Sequence, residues 1–165
     1  CLATARKLSA KRRLPEAAGY GRGFACGIYD GRCFVAVSAD VFVDEVNQRI
    51  NVLHLCCAQD VGMAVNPDQL RAQIESNLVW SIGMALLERF EVADNTIQSS
   101  NFDNYTIARM RNMPTLDIDI IDQPNLPPAG AGEVALVAGP PAIANAIRDA
   151  SGFRALSLPI RFADI

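Results

Sequence analysis

From Gly23 to Val61 the sequence carries one β pattern after another, and this run limits the fold more than any other feature. Phe24 to Tyr29 leads into Asp30-Gly31, a pair that accepts the left-handed backbone of a tight hairpin turn. On the return, Val35, Val37, Val41 and Val43 share one parity, while Ser38, Asp40 and Asp44 share the other. Successive side chains of a strand point to opposite faces, so this pattern predicts a strand buried on one face. A polar turn at Val46 to Arg49 leads to a third run, Ile50 to Ala58. The expectation is an antiparallel meander of three strands, whose apolar face needs helices to cover it.

The rest of the chain supplies them. Residues 2 to 13 have helical composition and stop at Leu14-Pro15; Ala17 to Gly23 is a glycine-rich connector. Asn66-Pro67-Asp68-Gln69 offers an N-cap, a proline suited to the first helical position, and a capping-box glutamine. Leu70, Ile74, Leu78, Ile82 and Ala85 then recur at helical spacing, predicting a helix over Pro67 to Glu88. Gly83 inside it suggests close approach of another element. Gln73, Ser76, Trp80 and Gly83 share a neighbouring face, with Trp80 read as a core residue. Leu116, Ile118 and Ile120 alternate with Asp117 and Asp119 as a further strand. A last helix begins near Pro140-Pro141, turns Ile143, Ala146, Ile147 and Ala150 inward, and ends at Gly152. The fold class is therefore α+β, an antiparallel sheet with packed helices in a single domain over 1–165.

Composition narrows the chemistry. A net charge of −3 with intermixed signs is no field for nucleic acid. The one basic cluster, Arg6, Lys7, Lys11, Arg12 and Arg13, fits the solvated side of the first helix. No apolar run is long enough to span a membrane and no signal peptide is visible, which points to the cytoplasm, with the periplasm as the alternative. Five cysteines, two of them adjacent, and a single histidine, His54, do not form a disulfide framework or a cluster of metal ligands. Cys56 and Cys57 read as strand residues. No protein metal ligand is expected.

One short stretch stands apart. Gly130-Ala131-Gly132-Glu133 places a carboxylate after two glycines and before an apolar run. The segment formally satisfies G-x-G-x-x-[GA], but a proline-rich loop precedes it, not a strand, so a dinucleotide site does not follow. It is either an ordinary glycine turn with an exposed glutamate or a loop that brings its backbone close to a ligand. In the second case apolar surroundings would favour proton uptake, and Glu133 could act as a general base.

Several ordered stretches decide between these. GYGRGFA (19–25), AQDVGMAVNPDQLRAQIES (58–76), SNFDNYTIARMRNMP (100–114), GAGE (130–133), PPAIANAI (140–147) and SGFRALSLPI (151–160) together resemble the C-terminal part of a known large subunit. That subunit is the molybdopterin-binding one of the xanthine oxidase/aldehyde oxidase family, and the nearest branch is that of the isoquinoline 1-oxidoreductase beta subunits. The resemblance implies a molybdenum hydroxylase that oxidises an N-heterocycle or an aldehyde with water as the oxygen source. It implies a molybdopterin-type cofactor that holds the metal without protein side chains, and iron–sulfur clusters on a partner subunit that remove the electrons. It makes Glu133 the general base, lets Gly130 and Gly132 bring the loop close to the cofactor, and gives Gln73 a contact to the pterin. Ser76 and Trp80 depart from the family pattern, where glycine and a polar residue are usual. The resemblance also implies that the other cofactor loops and most of the substrate pocket lie upstream. The chain is then a C-terminal fragment, inactive by itself, that needs an upstream molybdopterin-binding segment and an iron–sulfur small subunit. The alternative is a degenerate domain that serves only in assembly.

Overall fold

The computed structural model describes residues 1–165. In chain order it has α1 (Leu2–Ala10), β1 (Tyr20–Tyr29), β2 (Cys33–Asp44), β3 (Arg49–Asp60), α2 (Pro67–Leu86), a small ribbon of β4 (Val92–Ala93) and β5 (Thr96–Ile97), β6 (Thr115–Ile120) and α3 (Gly139–Ser151). The meander forms as its residues dictate. Asp30 and Gly31 both take positive φ, and the Arg32 N–H bonds back to the Tyr29 carbonyl at 3.3 Å. The main sheet has the order β1-β2-β3-β6.

Its fourth strand corrects the expectation of a purely antiparallel sheet. β6 pairs with β3 in parallel, from His54–Thr115 to Gln59–Ile120. Parallel neighbours need a long crossover, and α2 with the ribbon lies in that crossover. A second correction concerns β2, which is covered on both faces through its middle, Val35 to Val41. The odd positions face a large core shared with Leu55, Ile74, Leu78, Ile143 and Ile147. The even positions face α1, where Ala5, Ala36 and Ala58 make a small second cluster. The register between β2 and β3 shifts between Asp40 and Val41, so that Asp40 faces His54 and Val41 faces Val52. The extra residue in β3 reverses its parity. Ile50 and Val52 pack on the main core, as do Leu55 and Cys57 beyond the shift, whereas His54, Cys56 and Ala58 turn away from it. The adjacent cysteines thus end on opposite faces.

Both long helices start and run as their sequences require. The Gln69 N–H bonds to the Asn66 side chain at 3.1 Å, and Leu70, Ile74, Leu78, Ile82 and Ala85 are buried. Gly83 does meet a close neighbour, but the neighbour is the chain's own Glu88 carboxylate folded back over the helix end. Trp80 is not a core residue. It is 45% exposed, because the face it shares with Gln73 and Ser76 looks outward. α3 ends at Gly152 in the left-handed conformation, whose N–H caps the Arg148 carbonyl at 2.8 Å. It lies directly on β1, where a side chain at Gly21 or Gly23 would strike the α3 backbone at Ala142, Ala146 and Ala150. Its polar side chains also serve the edge strand. Asp149 accepts from the Arg22 N–H at 2.9 Å, and Asn145 donates to the Phe24 carbonyl at 2.8 Å. No helix is long and apolar enough to cross a membrane.

Candidate functional site

The segment from β6 to α3 crosses one end of the sheet and is tied to it by backbone and side-chain bonds. Gly62, just after β3, has φ of 75°, and a Cβ there would strike the Pro127 carbonyl, so the turn and the loop above it require glycine. The Ala64 N–H bonds to Asp122 and the Ala129 N–H to the Val61 carbonyl, both at 2.8 Å. Cys33 donates its thiol to the Gly130 carbonyl at 3.2 Å. Burial raises the pKa of that thiol, which keeps it protonated and able to donate.

The loop then meets α2. Gln73 Nε2 donates to the Gly132 carbonyl at 2.6 Å, and Asn77 Nδ2 donates to the same oxygen at 3.0 Å. Asn77 is buried and Gln73 is exposed. Glu133 follows at once and opens a 3-10 turn, Val134–Val137, that runs into α3. The four residues singled out from the sequence, Gln73, Gly130, Gly132 and Glu133, are therefore neighbours, although Gln73 and Gly132 stand 59 residues apart. Asn77 belongs to the same group and was not singled out. Its signal was its position one helical turn after Gln73, on the same face.

Two features of this group differ from the expectation. The Glu133 side chain is exposed, so this chain provides no apolar enclosure for it. Gly130 and Gly132 have no positive φ, and a Cβ at either would point into open space. No internal contact explains glycine at these two positions.

Elsewhere, Gln59 lies fully buried on the core side of β3, two residues before Val61, with neither amide atom bonded. On the opposite face of the sheet a polar cluster surrounds His54. Arg22 makes a two-pronged ion pair with Asp40 at 2.6 and 2.8 Å. His54 Nε2 is 2.9 Å from Asp117, and His54 Nδ1 is 3.7 Å from Asp40. Chiefly through Asp40, with Cys56 and Asp117 adding to it, the imidazole pKa is pushed up to about 10. His54, Cys56 and Asp117 bring their donor atoms within 4.8 Å of one another, a juxtaposition that no spacing in the sequence signals. Both ring nitrogens face carboxylates, so the cluster is an ion-pair network around an imidazolium. A cleft of about 810 Å³ lies at the other end of α2 between Ile50, Ile82, Arg111, Met113 and Phe162. None of the loop residues above lines it.

The family model of the molybdopterin cofactor-binding domain matches residues 5–114. The chain belongs to this family. It is 36% identical to the B subunit of nicotinate dehydrogenase from Pseudomonas putida KT2440, over 85% of its own length and 12% of that protein. It is 34% identical to the beta subunit of isoquinoline 1-oxidoreductase from Brevundimonas diminuta, over 92% of its length and 19% of that protein. Among solved structures, quinoline 2-oxidoreductase of Pseudomonas putida 86 shares the fold with a TM-score of 0.74 at 24% identity, covering 80% of this chain and 18% of that one. The xanthine oxidase family resemblance and the α+β fold expected of it are thus shown, with the sheet mixed. The chain spans less than a fifth of the length of each of these relatives.

Proposed function

We propose that this chain supplies the general base, Glu133, and part of the pterin site of a molybdenum hydroxylase that oxidises an N-heterocycle or an aldehyde with water as the oxygen source. The observation that carries the reading is the bond from Gln73 to the Gly132 carbonyl, which joins the helix residue and the glycine–glutamate loop in one exposed surface.

The residues fit a molybdopterin-type cofactor. Gly130 and Gly132 leave open space where any other residue would project a side chain. A ligand can approach that backbone closely. The Gln73 amide has its Nε2 committed inward, which leaves Oε1 to accept from a pterin edge. When bound, the cofactor supplies the metal centre at which the substrate carbon is oxidised. In this reading Glu133 takes the proton that water must lose, at a carboxylate oxygen held on a loop with no competing ion pair among the salt bridges of the chain. The apolar enclosure that would tune it, the remaining cofactor loops and the substrate pocket come from an upstream molybdopterin-binding segment. Electrons leave through iron–sulfur clusters on a small subunit. Both curated relatives are single subunits of named enzymes, which supports a role within an assembly.

The test is Glu133→Gln in the complete enzyme, with metal content measured and the reductive half-reaction followed by rapid mixing. Glutamine keeps the shape but cannot take a proton. The rate per loaded molybdenum is expected to fall about 10²–10⁴-fold. A fully loaded variant that reduces at the wild-type rate would end the assignment.

A further inference from the structure

We propose that Asn77 is a positioning residue for Glu133, forming with Gln73 a two-amide clamp on the carbonyl of Gly132. The inference rests on the reading of Glu133 as the base and concerns how its direction is set.

The clamped oxygen belongs to the peptide group that joins Gly132 to Glu133. That group is planar, so fixing its oxygen also fixes the Glu133 nitrogen and the Glu133 Cα. Glycine at 132 makes such a clamp necessary. Without a Cβ the backbone at 132 has more rotational freedom than any other residue would allow, and the following peptide could turn over. Asn77 and Gln73 sit one helical turn apart on α2, so both amides reach one carbonyl, at 3.0 and 2.6 Å. A carbonyl oxygen can accept two such bonds.

The two donors are not equivalent. Asn77 is 1% exposed and forms the inner half of the clamp; Gln73 is exposed and forms the half that faces a ligand. The Asn77 segment is itself locked. The Ser81 hydroxyl donates to the Asn77 carbonyl at 2.7 Å, and Gly139, the first residue of α3, lies so close that a Cβ would strike the Ser81 side chain. The chain on both sides of Glu133 is therefore registered to the same two turns of α2.

The experiment uses the complete holoenzyme with Asn77→Leu, which keeps approximate size and loses the donor, beside Glu133→Gln. In Asn77→Leu the limiting rate of the reductive half-reaction per loaded molybdenum should fall about 10–10²-fold, the scale of a small misplacement of a catalytic group. Substrate affinity should change little. Amide hydrogen exchange at Leu136, whose N–H bonds to the Glu133 carbonyl at 3.2 Å, should quicken about 3–10-fold, the factor carried by one net hydrogen bond, with α3 unchanged. Unchanged exchange at Leu136 or an unchanged rate would overturn the clamp. If Asn77→Leu does not fold, Gln73→Met against Gln73→Lys gives the same exchange test, because lysine retains a donor; equal exchange in the two would overturn the clamp. A slow Glu133→Gln with a fast Asn77→Leu removes the clamp alone, and a fast Glu133→Gln removes the base assignment itself.

Discussion

His54 shows how a single residue ties stability to pH. Its partners come from neighbouring strands: Asp40 on β2, itself held by Arg22 of β1, Cys56 on β3, and Asp117 on β6. The folded pKa is about 10, above the ordinary 6.5. The imidazolium therefore contributes its full stabilisation below about pH 6.5, and the contribution is lost as pH rises through about 10. The melting temperature should decline over that window, and His54→Gln should flatten the decline; a wild-type profile flat from pH 6.5 to 10 would contradict the network. Gln59 works in the opposite sense, since its buried amide bonds to nothing. Gln59→Met, of similar length, should stabilise the chain by about 1–3 kcal/mol, the cost of an unsatisfied buried group, read by denaturant unfolding. At this scale the loop Gly130 to Glu133 stood out because its residues are adjacent in the chain, and Gln73 stood out only through the resemblance of its helix to a family segment. Asn77 and the His54 partners were not, since hydrogen bonds across strands and between helix and loop leave no local pattern.

Glycines at the level of elements separate two kinds of requirement. Gly23 lets α3 lie on β1, and a methyl there would meet the helix backbone at Ala142 and Ala146. Gly23→Ala should therefore cost about 1–3 kcal/mol by overpacking. Gly130→Ala meets open space within the chain and should leave its stability within about 0.5 kcal/mol. In the complete enzyme the same change should lower molybdenum content, because the loop can no longer come as near the cofactor. A Gly130→Ala enzyme with full metal content would argue for an ordinary turn. The three meander strands, α2 and α3 were readable because alternation and helical spacing are properties of contiguous residues. The direction of β6 was not, because alternation is the same in parallel and antiparallel strands. The two-sided burial of β2 was hidden because Ser38 and Asp40 look solvent-facing until α1 covers them.

For the molecule as a whole, the proposed function makes the site one wall of something larger. Glu133, Gln73 and Trp80 all stand on exposed surface, and the chain covers 12% and 19% of the two curated relatives. Purified alone from a host that makes the cofactor, it should carry no stoichiometric molybdenum, which metal analysis would show. The α3 cover on β1 has a further consequence, in time. The bond between Arg22 and Asp149 joins residues 127 positions apart. At roughly 5–20 residues per second, a ribosome leaves β1 without its cover for about 6–25 s after that strand has been made. During that interval the open edge of the meander is a template for another nascent chain, and newborn copies, not finished ones, are the population in which this protein is most prone to clump.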